Sequence, residues 1–376
     1  MRKILLIFGT RPEAIKLCPV IRSLREHPAR FDVRVCVTAQ HREMLDQVLA
    51  AFDVRPDYDL NSMLPGQTLF QSTSRILAGL EKVLQTERPA IVIVQGDTTT
   101  TFCGALAAFY LRIPVAHVEA GLRTGDLRQP FPEEMNRVLT SHLTDLHFAA
   151  TGWAAGNLRR EGVNPASIHV TGQTGIDAVI YVRDEIERGN LKGIDLPGLD
   201  PSKKLIVVTA HRRESFGEGF ERICRALAEI ANREDVEVVY PVHPNPNVQD
   251  PVQRHLAAHP NVRLIEPLSY VPFVDLMRRA YLLITDSGGS QEEGPSLGKP
   301  ILVLREKTER PEAVTAGTVR LVGTDQAKIV REARRLLDDR AAYDAIARVH
   351  NPYGDGSASP RIADLISSFI TENSRA

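Results

Sequence analysis

Short apolar runs rich in β-branched residues alternate with segments of helical period along almost the whole chain. Gly, Pro and polar residues separate the two kinds of segment. This alternation is typical of parallel strands joined by helices, because each parallel strand is reached through a crossover of helix length. The pattern predicts strands at residues 3–8, 33–38, 91–95, 115–118, 146–149, 168–170, 205–209, 236–241, 262–265, 282–285, 301–304 and 319–321.

The length of 376 residues favours two such domains, because one hydrophobic core rarely organises so long a chain. The predicted strands form two similar series, so we predict an α/β protein with two Rossmann-like doubly wound domains. Gly, Pro, Asp and Lys cluster between the two series, where the apolar periodicity lapses. We place an N-terminal domain at 1–173, a C-terminal domain at 174–357, and a last helix at 358–376 that packs back on the N-terminal domain.

Charge and cysteine content exclude several classes of partner. Lys and Arg number 46 against 47 Asp and Glu, which favours neither nucleic acid nor a membrane as a partner. No uncharged apolar stretch reaches the roughly 20 residues that cross a bilayer, so we expect a cytoplasmic protein. Cys18, Cys36, Cys103 and Cys224 form no CxxC pair, which argues against a zinc site or a disulfide framework. We predict no metal and no cofactor, and assign the acidic DYD motif at 57–59 to a connecting loop.

Polar motifs that directly follow strands are the candidate site residues, because ligands of open α/β sheets bind beyond the carboxyl ends of the strands. In the first of them, GTRPEAIK, Pro12 begins a helix. Arg11 and Lys16 lie near the N-terminus of that helix, whose free N–H groups favour an anion. A capped helix with solvated charges is the alternative interpretation.

Acidic residues follow the next strands. The motif QGDTTTT places Asp97 at a strand end, where Asp is also common as a helix N-cap. The motif HVEAGLRTGDLRQPFPEEMNR places Glu119 at a strand end, and Glu133 and Arg137 on one helix face. Carboxylates that converge raise one another's pKa, so that a general acid and a general base can coexist near neutral pH. A structural salt-bridge network is the alternative for this motif.

The second half carries basic and Gly-rich motifs. TAHRRESFG places His211 beside Arg212, which suits a proton donor to a phosphate leaving group, and a buried, satisfied histidine is the alternative. His243 ends the next strand and is a second candidate. In TDSGGSQEE a Gly-rich turn lets amides approach a diphosphate, and Glu293 follows where an acid can bind ribose hydroxyls. Arg310 adds a cation for the phosphates. The residues of the turn are Ser287, Gly288 and Gly289.

Seven motifs together resemble one family. Their order and spacing are similar to those of bacterial non-hydrolysing UDP-N-acetylglucosamine 2-epimerases over nearly the whole chain. The resemblance implies the GT-B fold, with the active site in the cleft between the two domains. It implies reversible C2 epimerisation of UDP-N-acetylglucosamine to UDP-N-acetylmannosamine, which supplies surface polysaccharide or cell-wall polymer synthesis. It also implies a homodimer with UDP-N-acetylglucosamine and UDP as ligands. The motifs are GTRPEAIK, QGDTTTT, HVEAGLRTGDL, PFPEEMNR, TAHRRESFG, TDSGGSQEE and KTERPEA.

The resemblance also implies roles for single residues. Acid/base carboxylates are expected at Asp97, Glu119 and Glu133, and an acid for the leaving group at His211. Substrate-binding residues are expected at Arg11, Lys16, Arg137, Arg212, His243, Phe273, Ser287, Gly288, Gly289, Glu293 and Arg310. Phe273 is expected near the uracil.

The sequence leaves regulation and three rival functions open. Bacterial members of the family are regulated by a second, substrate-like molecule near the active site. Gln40, Arg212, His243 and Glu133 fit that site, whereas Glu43 and Gly66 replace residues that some regulated members use. A hydrolysing epimerase would release free N-acetylmannosamine. A GT-B glycosyltransferase would use the same UDP-binding residues. A non-catalytic UDP-sugar sensor would not need the four catalytic candidates.

Overall fold

The computed structural model describes residues 1–38, 42–64, 66–308 and 310–373. The chain forms two compact units. The first unit comprises Met1–Tyr181 together with Tyr353–Ala376, and the second unit comprises Val182–Pro352. The sequence places the boundaries at 173/174 and 357/358, a few residues away on each side.

Thirteen strands lie within the described residues. They are β1 (Arg2–Phe8), β2 (Phe31–Val37), β3 (Tyr58–Asp59), β4 (Ile91–Gln95), β5 (Val115–Val118), β6 (Leu146–Ala149), β7 (Ile168–Val170), β8 (Lys204–Thr209), β9 (Val236–Pro241), β10 (Val262–Ile265), β11 (Leu282–Thr285), β12 (Ile301–Val303) and β13 (Val319–Leu321). Each unit holds one parallel sheet. The strand orders are β3-β2-β1-β4-β5-β6-β7 and β10-β9-β8-β11-β12-β13. The predicted fold class, two Rossmann-like α/β domains, is therefore confirmed.

Helices connect the strands in both units. They are α1 (Arg11–Arg25), α2 (Arg42–Ala51), α3 (Leu69–Glu87), α4 (Thr99–Tyr110), α5 (Glu133–His142), α6 (Gly152–Arg160), α7 (Thr174–Glu187), α8 (Glu218–Ala231), α9 (Pro246–Leu256), α10 (Tyr270–Arg279), α11 (Gly288–Glu293), α12 (Pro311–Ala316), α13 (Gln326–Asp338), α14 (Arg340–Ala347) and α15 (Ala358–Asn373). Short 3-10 helices occur at Pro165–Ser167, Arg213–Ser215 and Gly294–Leu297. The last helix, α15, packs on α1 in the first unit.

The central strands are buried on both faces. Ile4 to Phe8 in β1 and Ile91 to Val94 in β4 are fully buried. Continuous apolar runs of this kind are expected where helices cover both sides of a parallel sheet. In each sheet the strand order reverses beside the first strand in sequence, between β1 and β4 and between β8 and β11. These switch points open a crevice at the carboxyl ends of the strands.

One strand was not predicted from the sequence. Tyr58 and Asp59 form the edge strand β3 beside β2, so the DYD motif is not simply a connecting loop. Asp57 accepts hydrogen bonds from Arg34 Nη1 at 3.1 Å and from the backbone N–H of Val35 at 2.8 Å. The Asp57 carboxylate therefore stabilises the edge of the sheet by hydrogen bonding to β2.

The four cysteines are free and buried. Burial raises the pKa of each thiol, to about 12 for Cys36, Cys103 and Cys224. Across the described ranges, no helix combines the length and the apolar character that a membrane crossing requires.

Candidate active site

The carboxyl ends of β1, β4 and β5 bring the first set of candidate residues to one edge of the first sheet. These strands are neighbours, and the segments that directly follow them carry Arg11, Asp97 and Glu119. The N-cap of α4 is Thr98, whose hydroxyl accepts from the backbone N–H of Thr101 at 3.1 Å. Asp97 is therefore not the N-cap, and its carboxylate is available for another task.

Asp97 is held by two consecutive residues of α5. Arg137 Nη2 donates a hydrogen bond to the Asp97 carboxylate, and Asn136 Nδ2 donates to the Asp97 carbonyl at 2.9 Å. Arg137 Nη1 donates to the buried Glu134 at 3.0 Å. An ionic network thus does exist in this motif, with Arg137 between two carboxylates.

Glu119 and Lys16 form the second pair at this edge. Lys16 Nζ lies 2.5 Å from Glu119 Oε2, and Gln95 Nε2 donates to the same oxygen. Glu119 adopts φ 65°, a left-handed conformation that is uncommon for a residue with a side chain. Backbone strain of this kind concentrates at functional sites.

Glu133 and Arg11 differ from these paired residues. Within the described part of the chain, no hydrogen bond or ion pair holds either side chain. Both are partly exposed at the start of a helix, Arg11 in α1 and Glu133 in α5. The sequence places Glu133 and Arg137 on one face, but Arg137 pairs with Glu134 instead. A free cation and a free carboxyl are thus available to a ligand.

Sequence reasoning missed Glu13, which links two loops of the site. Its Oε2 accepts from the backbone N–H groups of Gly9 at 3.1 Å and Thr10 at 2.8 Å, and from the Thr10 hydroxyl at 2.7 Å. Its Oε1 accepts from the hydroxyls of Thr98 at 2.8 Å and Thr101 at 3.2 Å. Burial raises the pKa of Glu13, and these hydrogen bonds oppose the rise. The Thr10-x-x-Glu13 capping box was the available sequence signal.

His117 is a second residue that sequence reasoning missed. It lies in β5, and its Nε2 is 2.7 Å from the carbonyl oxygen of Gly96, one residue before Asp97. Burial lowers the pKa of His117 to about 3. The neutral imidazole therefore donates to this carbonyl and supports the loop that carries Asp97.

In the second unit, a buried carboxylate organises the loop after β8. Asp286 Oδ2 accepts from the backbone N–H groups of His211 at 2.6 Å and Arg212 at 2.7 Å. His211 Nδ1 lies 3.5 Å from Asp286 Oδ1. The His211 side chain is 41% exposed, so the alternative of a buried histidine is wrong. Partial burial lowers the pKa of His211, and Asp286 opposes this shift.

His243 stacks on His211. The ring centroids are 5.5 Å apart with an interplanar angle of 9°. His243 Nδ1 accepts from the backbone N–H of Asn245 at 3.1 Å, which fixes its tautomer with the proton on Nε2. Two imidazoles and Arg212 thus lie at the ends of β8 and β9.

The Gly-rich turn follows β11, across the switch point from His211. Ser287 precedes α11, and its backbone N–H donates to the Thr285 hydroxyl at 2.9 Å. The Arg310 guanidinium lies over Gly288, so close that a Cβ there would sit 2.6 Å from it. Arg310 Nε also donates to Glu292 at 2.6 Å. The small residues of the turn, including the exposed Gly289, leave its backbone accessible beside a cation.

Glu293 and Phe273 lie beside the turn in the same unit. Tyr270 OH donates to Glu293 Oε1 at 3.5 Å, which links α10 to α11. Phe273 is one turn further along α10 and is partly exposed. Of the residues named for regulation, Glu43 is exposed in α2, and Gln40 lies outside the described residues.

Among the described residues, no group of His, Cys, Asp and Glu side chains has an arrangement that could hold a metal ion.

Comparison with known proteins identifies the family. A model of the UDP-N-acetylglucosamine 2-epimerase family matches residues 22–367. The UDP-N-acetylglucosamine 2-epimerase of Escherichia coli (strain K12) is 58% identical over 369 residues, which cover 97% of this chain and 98% of that protein. The crystal structure of UDP-GlcNAc 2-epimerase from Neisseria meningitidis bound to UDP-GlcNAc matches with a TM-score of 0.86 and 47% identity, covering 97% of this chain and 100% of that chain.

A more distant structure extends this similarity. The Methanocaldococcus jannaschii UDP-GlcNAc 2-epimerase, in complex with UDP-GlcNAc and UDP, matches with a TM-score of 0.76 and 34% identity, covering 97% of this chain and 99% of that chain. These matches run through both Rossmann-like domains and confirm the predicted fold class of the GT-B type. The chain belongs to the UDP-N-acetylglucosamine 2-epimerase family.

Proposed function

We propose that the protein is a UDP-N-acetylglucosamine 2-epimerase that interconverts UDP-N-acetylglucosamine and UDP-N-acetylmannosamine without releasing free sugar. Family membership supports the activity, and the relatives that bind UDP-GlcNAc and UDP support the ligands. The observation that carries the proposal is the set of carboxylates at one edge of the first sheet, Asp97 and Glu119 each beside a cation and Glu133 free to meet a ligand.

The reaction needs these groups for a chemical reason. The C2 hydrogen of the sugar is not next to a carbonyl, so a side-chain base cannot remove it directly at a useful rate. Breaking the bond between C1 and the UDP oxygen creates positive charge at C1, which makes the C2 hydrogen acidic. Loss of that proton forms the C1–C2 double bond of 2-acetamidoglucal and releases UDP. UDP then adds back to C1 while a proton returns to the opposite face of C2.

Each unit supplies a different part of this chemistry. Asp97, Glu119 and Glu133 serve as the acid and base groups at C2, and general acid–base catalysis contributes typically 10²- to 10⁴-fold. Lys16 and Arg137 hold two of these carboxylates. Arg11, which has no partner in the described structure, is a contact for the sugar diphosphate.

The second unit binds the UDP portion. The turn Ser287–Gly289 and Arg310 bind the diphosphate, Glu293 accepts from the ribose and Phe273 lies near the uracil. His211 protonates the leaving diphosphate, with Arg212 and His243 beside it. Charge that develops on the leaving group is thus met by oriented donors.

One experiment tests the proposal. The protein is incubated in heavy water with UDP-N-acetylglucosamine alone, and proton NMR follows the products. We expect UDP-N-acetylmannosamine with deuterium at C2. Free N-acetylmannosamine would indicate a hydrolysing enzyme, and conversion only after addition of an acceptor would indicate a glycosyltransferase. Binding without any conversion would indicate a sensor.

Two broader proposals accompany the activity. We place the product in surface polysaccharide or cell-wall polymer synthesis, so a strain that lacks this protein should lose N-acetylmannosamine from those polymers.

We also propose a homodimer. Phe109 and Tyr110 at the end of α4 are exposed aromatic residues, a composition that is enriched at protein interfaces. Sedimentation velocity should give twice the mass of the chain, and a monomer at all concentrations would exclude the dimer.

A further inference from the structure

Two adjacent acids at the start of α5 have different surroundings. Glu133 is partly exposed and has no partner in the described structure, whereas Glu134 is 1% exposed. Glu134 Oε1 accepts from the backbone N–H groups of Thr124 at 2.9 Å and Gly125 at 3.0 Å. Its Oε2 accepts from Arg137 Nη1 at 3.0 Å. The buried acid is therefore fully engaged, and it belongs to none of the roles assigned above.

The contact with Arg137 extends to Asp97. Arg137 is buried and presents its two terminal nitrogens to two carboxylates, Nη1 to Glu134 and Nη2 to Asp97. A guanidinium is rigid and planar, so fixing one of its nitrogens also fixes the other. The position of the Asp97 carboxylate thus depends on Glu134, although the two acids share no contact in the described structure.

We propose that Glu134 is a positioning residue for the epimerisation, which holds Asp97 in place through Arg137. This inference rests on the proposed role of Asp97. Glu134 itself reaches no substrate, because its two oxygens face the loop and Arg137 inside the first unit. Removing one partner from a buried pair of carboxylate and guanidinium is costly, because the other charge is left buried alone. The contacts between Glu134, Arg137 and Asp97 are therefore kept together.

The substitution Glu134→Gln separates the contact with the loop from the contact with Arg137, because glutamine has one acceptor oxygen and one donor NH₂ group. Its amide oxygen can accept from Thr124 and Gly125, which keeps the loop attached. Its NH₂ group then faces Arg137 Nη1, and two donors cannot bond to each other. Glu134→Gln therefore releases Arg137 and leaves the loop contact in place.

The test is a double-mutant cycle on kcat. Wild type, E134Q, D97N and E134Q/D97N are compared by steady-state epimerisation of UDP-N-acetylglucosamine, with UDP affinity measured by calorimetry. We expect E134Q to lower kcat about tenfold, the loss that one misaligned charged hydrogen bond produces, while UDP affinity stays unchanged. In the D97N background E134Q should have no further effect on kcat, because Asp97 is already removed.

Two further variants keep the result interpretable. Arg137→Lys offers one compact cation that cannot bridge both carboxylates, and it should show the same loss and the same masking by D97N. Glu87→Gln is the matched control, because Glu87 is a partly buried carboxylate 2.7 Å from Lys3 Nζ at the opposite end of β1. E87Q should keep the wild-type kcat.

The outcomes separate the inference from the proposed function. Equal losses from E134Q in the wild-type and D97N backgrounds would overturn the positioning role alone. Unchanged kcat in E134Q would overturn it as well, even if R137K loses activity, because R137K also disturbs the direct contact between Arg137 and Asp97. Wild-type kcat in D97N would overturn the role of Asp97, and with it this inference. If E134Q does not fold, Glu134→Asp takes its place in the same cycle, because the shorter side chain cannot hold both the loop and Arg137, and an unchanged kcat in E134D would overturn the inference.

Discussion

The two units hold their candidate site residues in different ways. In the first unit, side chains hold side chains: Lys16 holds Glu119, and Arg137 holds Asp97. In the second unit, a single buried carboxylate, Asp286, holds backbone N–H groups, and a Gly-rich turn leaves its backbone accessible beside Arg310. Oriented side chains suit proton transfer at one atom, whereas a backbone turn suits a diphosphate. Substitutions of the paired carboxylates in the first unit should therefore change kcat, and substitutions at the Gly-rich turn and Arg310 in the second unit should change UDP affinity.

The largest effect is expected at Asp97. Asp97→Asn should lower kcat about 10³-fold, because a positioned acid–base group contributes that order of rate. UDP affinity, measured by calorimetry, should not change. Asp57→Asn is a matched control, since Asp57 also accepts from an arginine, at 3.1 Å, in the same unit. If D97N weakened UDP binding more than it lowered kcat, the proposed difference between the two units would be wrong.

The next effect is expected at Glu13, whose carboxylate accepts from backbone and hydroxyl donors of two loops. Glu13→Ala leaves buried donors without an acceptor and should lower the free energy of unfolding of the first unit by about 3 kcal/mol. Glu13→Gln should cost less, since its NH₂ group can donate to the hydroxyls of Thr98 and Thr101, which can turn to accept. Trp153, the single tryptophan of the chain, lies in the first unit and reports its unfolding in urea. An equal fall in the free energy of unfolding in both variants would contradict this ranking and would show that the site of Glu13 requires a charged carboxylate.

A smaller effect on binding is expected at Arg310. Arg310→Lys keeps a cation for the buried Glu292 but loses the planar fork, so UDP should bind about tenfold more weakly. The kcat at saturating substrate should stay unchanged. Arg233→Lys is the control, because Arg233 pairs with Asp235 at 2.8 Å on the same unit but belongs to none of the site motifs. A fall in kcat without a change in UDP affinity would contradict the assignment.

The smallest effect concerns His117 and pH. Burial lowers the pKa of His117 to about 3, so between pH 6.5 and 3 the unfolded chain binds a proton at this residue that the folded chain does not. The free energy of unfolding therefore falls as the pH falls, and the full contribution is present above pH 6.5. From pH 6 to pH 5, His117 should account for about 1 kcal/mol of the loss. His117→Gln should remove that part of the slope in urea titrations followed by Trp153; parallel slopes would contradict the assignment.

Local sequence pattern was sufficient for most of the fold. The buried strands were predicted because continuous apolar runs signal strands that are covered on both faces. The edge strand β3 was missed because its two residues, Tyr58 and Asp59, carry no such run. The loops that carry Asp97, Glu119 and His211 were located by the rule that ligands bind at the carboxyl ends of parallel strands.

The different surroundings of Glu133 and Glu134 could not be predicted from the sequence. Adjacent residues of a helix point in directions about 100° apart, and only the packing of α5 decides which one is buried. His117 was missed for a similar reason, because in sequence it is one more residue of a buried strand. The Thr10-x-x-Glu13 capping box was readable, but the two threonines at the start of α4 that also donate to Glu13, the N-cap Thr98 and Thr101, lie 85 and 88 residues away.

The sequence by itself determined the two parallel sheets, the succession along the chain of every strand except β3, and the family to which the motifs point. Those properties follow from local periodicity and from motif order. The tertiary structure decided which charges meet, since Lys16 and Glu119 are 103 residues apart and Asp97 and Arg137 are 40 apart. Such pairs form because neighbouring parallel strands end at the same edge of a sheet, and because burial at that edge favours the arrangement in which each charge has a partner. The spacing of residues along the chain encodes neither condition.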